Sequence, residues 1–464
     1  MSILRNAGLG RRWVALALLV ALCGLGLRAA QPPGAAAGSP HVVIISLDGF
    51  PGWALDDPAL PVPTLRRLAR EGAMARGMRP VNPTVTWPNH TSMVTGVTPA
   101  RHGVLFNGTL VREPGLPPRV EPWRDKAEMV RARTLYDAAH EQGLTTAQVD
   151  WVAIWNAPTV TWEFRERPDP QGPIARELVE AGLVSETDVQ AFATRNIVFR
   201  DHVWTTAAAH ILRRHRPNLL LFHLLNLDST HHRYGPRTHA ALTTMAWLDT
   251  QVAAILDALD EGGIAERTTV FVVSDHGFKA VRRQIRPNVA LERAGLVEVV
   301  DGKVTRTRAW VVPEGGTAIV YLTAPDPDGR VLARVRKEIA ELEGVARLIE
   351  PSEYAALGLP DPADDPQMGV LLASAKDGYA FTAALGADAV IDAPEGSLGA
   401  HGYLASDPDL SALFVASGRG IARGVVLDAV DAVDVAPTAA QLLGLEMKGV
   451  DGRVLTAILA DGKW

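Results

Sequence analysis

The sequence predicts an α/β fold in which a mostly parallel β-sheet is sandwiched between helices. Three apolar runs, 41–47, 218–227 and 269–274, are each followed directly by an aspartate. Continuous rather than alternating apolar residues are typical of strands buried on both faces of a parallel sheet. Helical patterns separate the runs, and alternation of strands with helices favours an α/β architecture. Ligands of such sheets bind beyond the carboxyl ends of the strands, where the three aspartates are expected.

The helices are predicted from apolar periodicity and from the residues that end it. The pattern over 63–71 keeps its apolar residues on one face and stops before Gly72. The patterns over 133–142 and 243–260 are also followed by glycines. A C-terminal helix is predicted over 435–445, because an aspartate precedes it and a proline lies in its first turn.

Two regions interrupt this alternation of strands and helices. Residues 152–200 are rich in proline, tryptophan and charge, and residues 290–397 mix strand-like runs with one helical pattern. A chain of 464 residues is long enough for one large domain with insertions or for two domains. We expect a single catalytic domain over 41–464, with cap insertions around these two regions.

The N-terminus carries the pattern of a targeting signal. Basic residues precede an apolar run over 13–27, which is too short to span a bilayer comfortably, and small residues follow it. We predict a signal peptide over 1–30 and a flexible leader over 31–40. The protein is then exported, to the periplasm or the extracellular space, with no stable membrane span after cleavage. An uncleaved anchor is the alternative.

The composition is that of a globular protein rather than a nucleic-acid-binding one. Hydrophobic residues make up 47% and charged residues 21% of the chain, which leaves ample material for a core. The formal net charge of -6 argues against a surface that coats nucleic acid. Cys23, the single cysteine, lies in the predicted signal peptide, so disulfide bonds are not expected in the mature protein. The oligomeric state is not predicted.

Separated fragments of the chain supply side chains that are suited to binding metal ions. Asp228 and His232 are four residues apart, so on a helix both lie on one face and can share an ion. Imidazoles mixed with carboxylates suit Zn²⁺ best, although Mn²⁺ and Fe also accept them. The candidate ligands are Asp48, Thr86, Asp228, His232, Asp275, His276 and His401. These are too many for one tetrahedral zinc, and two metal ions can clamp both sides of a phosphoryl displacement.

Some of these candidates can instead have a purely structural role. An aspartate at the end of a strand can equally cap the helix that follows. His231 can be the ligand in place of its neighbour His232, but only His232 has the four-residue spacing from Asp228.

The segment 84–90 contains a candidate nucleophile. Thr86 is followed by Trp87 and a proline, after which a helix can begin, and its free N–H groups favour a bound anion. Coordination to a metal would lower the pKa of the threonine hydroxyl and make nucleophilic attack feasible. Asn107 is a candidate donor to a phosphoryl oxygen, with an ordinary loop asparagine as the alternative.

These fragments resemble the motifs of the nucleotide pyrophosphatase/phosphodiesterase (type I phosphodiesterase) family, within the alkaline phosphatase superfamily. The likeness runs over residues 41–110, 205–290 and 398–460, roughly half of the chain. The matching segments are Thr86 to His90, Val94-Thr95-Gly96, His102-Gly103, Asn107, Asp228 to His232, Asp275-His276-Gly277, His401-Gly402-Tyr403 and Asp434 to Thr438.

The resemblance implies an alkaline-phosphatase-like fold and an enzyme that hydrolyses phosphodiester or pyrophosphate bonds of small-molecule, nucleotide-type substrates. Thr86 would attack phosphorus and form a phospho-threonine intermediate, and Asn107 would help to hold the phosphoryl oxygens. One zinc ion would be bound by Asp48, Thr86, Asp275 and His276. The other would be bound by Asp228, His232 and His401 and would activate the hydrolytic water.

Three positions depart from the family pattern near the expected substrate pocket. Leu227 stands where a proline is usual, His223 replaces an aromatic residue, and the segment 150–155 replaces a Trp-Pro-Gly segment. Nucleotide preference therefore stays open. Trp87 and Trp151 are the candidate substrate-binding aromatics.

The surroundings of these tryptophans favour a diester substrate. Monoesterases place Lys or Arg near the substrate to neutralise its extra charge, and no such pair occurs over 148–155. Aromatic groups can instead bind the second ester group of a diester. The alternatives are a phosphomonoesterase or phosphonate hydrolase of the same superfamily, and an exported zinc-binding protein without catalytic activity.

Overall fold

The computed structural model describes residues 38–461 of the chain. The predicted signal peptide, 1–30, and residues 31–37 of the predicted leader lie outside the described residues. Across 38–461, every helix is either too short or too polar to cross a bilayer.

The elements are numbered here in chain order. The strands are β1 His41–Leu47, β2 Ala73–Ala75, β3 Met78–Arg79, β4 Thr109–Val111, β5 Arg119–Glu121, β6 Thr146–Val149, β7 Trp162–Phe164, β8 Leu219–Leu224, β9 Thr268–Val273, β10 Lys279–Ile285, β11 Val297–Val300, β12 Lys303–Thr307, β13 Ala309–Pro313, β14 Thr317–Leu322, β15 Val345–Ile349, β16 Leu371–Ala375, β17 Gly378–Phe381, β18 Val390–Asp392, β19 Gly399–Ala400, β20 Phe414–Gly418, β21 Val425–Leu427 and β22 Val430–Asp431. The helices are α1 Pro63–Glu71, α2 Thr86–Thr95, α3 Pro99–His102, α4 Lys126–Met129, α5 Leu135–Glu141, α6 Pro173–Glu180, α7 Glu186–Gln190, α8 Ile197–Arg214, α9 Asn226–Tyr234, α10 His239–Glu261, α11 Pro287–Arg293, α12 Arg330–Ala340, α13 Pro351–Tyr354 and α14 Val435–Leu442.

A central sheet runs in the order β21-β2-β20-β9-β1-β8-β6-β7. Strand β1 pairs in parallel with β8 and β9, and β6 pairs in parallel with β7 and β8. Strand β20 runs in the opposite direction, because it is antiparallel to both β9 and β2, whereas β2 and β21 are parallel to each other. The predicted mostly parallel sheet is therefore confirmed.

Helices cover both faces of this sheet, as predicted. Every residue of β1 is buried, and successive side chains point to opposite faces. Val43 and Ile45 pack in a core that includes residues of α1, α8 and α10. Val42 and Ile44 pack in the opposite core, which includes residues of α2, α5 and α14. Burial on both faces explains why the run over 41–47 is apolar without alternation.

The helix predicted over 63–71 has the predicted bounds, whereas the apolar run over 218–227 is divided. Strand β8 ends at Leu224 and helix α9 begins at Asn226, so Asp228 lies in the first turn of a helix rather than directly after a strand. The division comes from a distant side chain. Asp201 of α8 accepts hydrogen bonds from the N–H groups of Leu225 and Asn226, both at 3.0 Å.

The two regions that interrupt the sequence pattern differ in how they pack. Within 152–200, β7 forms an edge of the central sheet, and Leu178 and Phe192 belong to the core that includes Val43. Within 290–397, strands β13, β14, β15 and β16 form a separate antiparallel sheet. This sheet packs with α12 around a core of its own that contains Val320 and Val335. The domain bounds and the assignment of both regions as cap insertions remain predictions.

Replacement of Asp201 with alanine is expected to destabilise the protein. The fully buried carboxylate satisfies two N–H groups at the start of α9, and its loss leaves both unpaired. We expect the free energy of unfolding to fall by about 2–3 kcal/mol, measured from the urea midpoint.

The matched control is Asp249→Ala. Asp249 accepts N–H bonds from Thr64 and Leu65 at the start of α1, which carries none of the candidate ligands. Similar destabilisation is expected, but only Asp201→Ala should also weaken metal binding, because α9 carries Asp228 and His232. Equal metal affinities in the two variants would show that Asp201 has no role in positioning these ligands.

Candidate active site

The carboxyl edge of the central sheet brings the candidate ligands together. Asp48 follows β1, Asp275 lies two residues after β9, and α9 starts two residues after β8. These three strands are adjacent and parallel, so their carboxyl ends meet at one edge.

The first ligand group consists of Asp48, Asp275 and His276, which are fully buried. Each offers one ligating atom, and these atoms lie within 4.8 Å of one another. The His276 Nε2 atom is 3.1 Å from Asp275 Oδ2 and 3.6 Å from Asp48 Oδ1. Asp275 is held in place because its Oδ1 atom accepts the Gly49 N–H at 3.1 Å. Its Oδ2 atom is therefore left for the cavity.

The second group is built on α9. The Asp228 Oδ1 atom is 3.4 Å from the His232 Nε2 atom and 3.7 Å from the His401 Nε2 atom. The four-residue spacing on α9 thus places Asp228 and His232 side by side, as expected. The alternative residue, His231, packs against Phe278 at a ring distance of 4.8 Å and belongs to neither group.

Backbone carbonyls orient the two histidines of the second group. The His232 Nδ1 atom is 3.1 Å from the Gly399 carbonyl oxygen, and the His401 Nδ1 atom is 3.0 Å from that of Thr84. A proton on each Nδ1 satisfies these contacts and leaves each Nε2 lone pair free to bind a metal ion. The two groups are contiguous, because the rings of His276 and His401 stack with centroids 3.9 Å apart.

The electrostatics of the cluster favour a bound cation. Burial, followed by repulsion from Asp275 and Asp228, raises the pKa of Asp48 well above its ordinary value. Burial lowers the pKa of His276 to about 3 and that of His401 well below its ordinary value, so both imidazoles are neutral and able to act as ligands. Crowded carboxylates beside neutral imidazoles are a donor set for divalent metal ions.

Unsatisfied polar atoms support the same conclusion. Within residues 38–461, the buried atoms Asp48 Oδ1, Asp228 Oδ1, Asp275 Oδ2 and His276 Nε2 lack hydrogen-bond partners. A buried polar atom without a partner costs free energy, so such atoms are rarely left clustered. Metal coordination would satisfy all four atoms, and the residues present therefore fit the metal centre that the sequence predicts.

Helix α2 begins at Thr86, where the chain is held between the two ligand groups. Two residues earlier, the Thr84 carbonyl accepts the bond from His401, and the Thr84 hydroxyl donates to the Tyr403 carbonyl at 2.7 Å. One turn later, the His90 Nδ1 atom lies 2.8 Å from the Thr86 carbonyl oxygen and 3.8 Å from Asp275 Oδ2. Thr86 itself is 6% exposed. The candidate nucleophile therefore lies on the segment that links the two groups.

The predicted substrate-binding residues surround the same helix end. The Asn107 Oδ1 atom accepts the Trp87 N–H at 3.0 Å, which leaves the exposed Asn107 amide group free to donate. Trp87 and Trp151 line one cleft together with Trp123 and Trp155. Trp151 also packs edge-on against His90, with ring centroids 4.8 Å apart.

A histidine bridge between two carboxylates was not predicted from the sequence. The His223 Nε2 atom is 3.1 Å from Asp48 Oδ2, and its Nδ1 atom is 3.0 Å from the Asp150 carbonyl oxygen and 3.2 Å from Asp150 Oδ2. Burial lowers the pKa of His223, but the hydrogen bonds to Asp150 and Asp48 outweigh it and leave the pKa well above its ordinary value. The imidazolium thus donates to Asp48 Oδ2 and leaves Oδ1 for the cavity. The only signal in the sequence was a histidine in place of an aromatic residue at a strand end.

Comparison with known proteins agrees with the fold and the motifs. The family model "Type I phosphodiesterase / nucleotide pyrophosphatase" matches residues 42–404. Ectonucleotide pyrophosphatase/phosphodiesterase family member 1 of Mus musculus is 23% identical over 417 residues, which are 88% of this chain and 41% of that protein. The chain thus spans about two fifths of the length of that relative.

Two further relatives are matched over most of their length. Family member 7 of Homo sapiens is 23% identical over 462 residues, 96% of this chain and 89% of that protein. Murine ectonucleotide pyrophosphatase/phosphodiesterase 5, solved as an inactive threonine-to-alanine variant in complex with AMP, superposes with a TM-score of 0.68. It has 15% sequence identity and covers 91% of this chain and 100% of its own, which shows that the fold is shared. The chain belongs to the type I phosphodiesterase/nucleotide pyrophosphatase family.

Proposed function

We propose that this protein is a metal-dependent hydrolase of phosphodiester or pyrophosphate bonds, with Thr86 as its nucleophile. The observation that carries the proposal is the convergence of two ligand groups around the start of α2. The ligating atoms of Asp48, Asp275 and His276 lie within 4.8 Å of one another, and so do those of Asp228, His276 and His401. His232 adjoins the second set through Asp228, at 3.4 Å. Such paired sites are suited to phosphoryl displacement.

The proposed cofactors are two Zn²⁺ ions, with Mn²⁺ or Fe as alternatives that accept the same ligands. One site would consist of Asp48, Thr86, Asp275 and His276. The other would consist of Asp228, His232 and His401. Bound metal ions would neutralise phosphoryl charge and lower the pKa of the threonine hydroxyl and of the attacking water.

The residues of the chain account for a two-step reaction. The Thr86 oxygen forms a bond to phosphorus while the bond to the leaving oxygen breaks, and the leaving group departs as an alcohol or phosphate. Water then attacks phosphorus, the bond to Thr86 breaks, and the threonine hydroxyl is regenerated. The Asn107 amide, oriented by its contact with the Trp87 N–H, would donate to a phosphoryl oxygen in both steps.

The proposed substrates are small nucleotide-type phosphoesters. The cleft beside Trp87 is narrow and walled by aromatic side chains, and such a lining favours a flat group such as a base over a bulky one. The solved murine relative is in complex with AMP, which supports a nucleotide-type substrate. A phosphomonoesterase or phosphonate hydrolase on the same scaffold is the alternative.

We further propose that the protein acts outside the cytoplasm, in the periplasm or the extracellular space. The predicted signal peptide supports export, and the matched relatives are named ectoenzymes. The charge of -6 supports a small-molecule substrate over nucleic acid.

Substitution of Thr86 tests the nucleophile. In Thr86→Ala, we expect kcat to fall by roughly a thousandfold or more, because no hydroxyl remains to attack phosphorus. Thr86→Ser should keep measurable turnover. Thr95→Ala is the matched control, since its hydroxyl donates to the Thr91 carbonyl at the other end of α2. Unchanged turnover in Thr86→Ala would remove Thr86 as the nucleophile.

The preference for diesters can be measured with two chromogenic substrates. For the zinc-loaded enzyme, kcat/KM for bis-p-nitrophenyl phosphate should exceed that for p-nitrophenyl phosphate by about tenfold or more. The reason is that aromatic side chains can bind the second ester group, whereas a dianion needs extra positive charge. If the enzyme hydrolyses p-nitrophenyl phosphate rapidly and does not hydrolyse bis-p-nitrophenyl phosphate, the phosphomonoesterase alternative is favoured. Release of phosphate from phosphonoacetate would favour the phosphonate hydrolase.

The histidine bridge is predicted to strengthen metal binding. His223→Gln removes the cation between Asp48 and Asp150, so zinc affinity should fall about tenfold to a hundredfold in competition with a chromogenic chelator. The control is His41→Gln, a buried histidine at the opposite end of β1 whose Nδ1 atom contacts the Pro217 carbonyl. If both variants keep the wild-type affinity, His223 does not position Asp48 for metal binding.

A further inference from the structure

A second group of metal-type side chains lies outside the proposed active site. The group consists of Glu177 on α6, His210 on α8 and His215 directly after α8. Both histidine Nε2 atoms are 2.8 Å from the same carboxylate oxygen, Oε2 of Glu177. The three ligating atoms lie within 4.8 Å of one another.

This group is remote from the candidate active site. His215 lies fourteen residues beyond Asp201, which caps α9, and at 1.5 Å per residue this is about 20 Å along α8. The chain then enters β8 at Leu219, whereas Asp228 follows the opposite end of that strand. The group therefore lies at the amino edge of the sheet and the active site at its carboxyl edge.

The environment suits a small ion. The side chains of Glu177, His210 and His215 are 28%, 14% and 9% exposed, so the group is largely desolvated but open to solvent on one side. Trp162 of β7 stacks on the His215 ring with centroids 4.8 Å apart, which fixes the orientation of the imidazole. The ligands come from two helices and from the residue that ends the second helix.

We propose that Glu177, His210 and His215 bind one divalent cation, Zn²⁺ by preference, which clips α6 to the end of α8. Two imidazoles and one carboxylate form a recognised zinc ligand set, with water in the fourth position. Zinc bonds of about 2.0–2.1 Å place neighbouring ligands about 3.3 Å apart, so only small side-chain adjustments from 2.8 Å are needed.

The position of the proposed metal site indicates a structural role. Helix α6 lies in the segment between β7 and α8, and a cross-link from Glu177 to His210 closes that part of the chain. A disulfide cannot do this, because Cys23 is the only cysteine in the sequence. A metal ion bound only by the folded chain would stabilise it in the same way.

Zinc stoichiometry tests the proposal. The full-length protein is stripped with chelator, reloaded with Zn²⁺, desalted and analysed for metal by mass spectrometry. Glu177→Gln and His215→Gln should each bind one equivalent fewer than the wild type, with phosphodiesterase activity unchanged. Glu180→Gln, at an exposed position on the same helix, should keep the wild-type number. The readout is a difference of one equivalent, so it does not depend on how many ions the proposed active site holds.

Equal zinc content in the wild type, Glu177→Gln and His215→Gln would overturn the proposal. The three residues would then form a hydrogen-bonded triad without a metal ion. If either variant fails to fold, the proposal can still be tested on the wild-type protein. Bound zinc should protect His210 and His215 from modification by diethyl pyrocarbonate, detected on their peptides. Equal modification with and without zinc would also overturn the proposal.

Discussion

Three carboxylates and two neutral imidazoles lie close together at one edge of the central sheet. They belong to Asp48, Asp228, Asp275, His276 and His401, and the structure around them depends on how their charges are balanced. Asp48 and Asp275 are fully buried, and this burial, followed by repulsion from Asp275, raises the pKa of Asp48 well above its ordinary value. Like charges at this proximity oppose folding unless a counter-charge is present. The metal ions that we propose would provide it, so their binding is coupled to the stability of the fold as well as to catalysis.

The surroundings of the cluster are organised to hold each ligand in one orientation. Backbone groups fix Asp275, His232 and His401, while the charged His223 fixes Asp48. Asp201 fixes the start of α9 from the neighbouring helix. Asp48, Asp275, His232 and His401 each have a second polar atom engaged elsewhere, so less side-chain entropy is lost when the free atom of each binds a metal ion.

Local patterns in the sequence predicted the sheet, the helices around it and the residues that meet at its edge. The bounds of β1 and α1 agree with the prediction because each depends on its own residues: a run buried on both faces in one case, and a face of apolar residues ended by Gly72 in the other. The candidate metal ligands were recognised in the sequence because each occurs in a short motif. Their roles, and that of Thr86, stay predictions.

What the sequence did not predict depends on contacts between distant residues. The end of β8 is set by Asp201, whose carboxylate accepts a hydrogen bond from the N–H of Leu225, 24 residues later in the chain. The bridge from His223 to Asp48 joins residues 175 positions apart, and no local pattern encodes it. The same holds for β7, which reaches the central sheet although its sequence surroundings suggested an insertion. Such contacts become visible only when the chain is folded.

Anomalous diffraction at the zinc edge, from crystals of the zinc-loaded protein, tests the central claim most directly. The account predicts two peaks at the carboxyl edge of the sheet. One lies among Asp48, Asp275, His276 and the Thr86 hydroxyl, and the other among Asp228, His232 and His401. A zinc-replete crystal with no peak at that edge, or with the Thr86 hydroxyl directed away from both peaks, would contradict it.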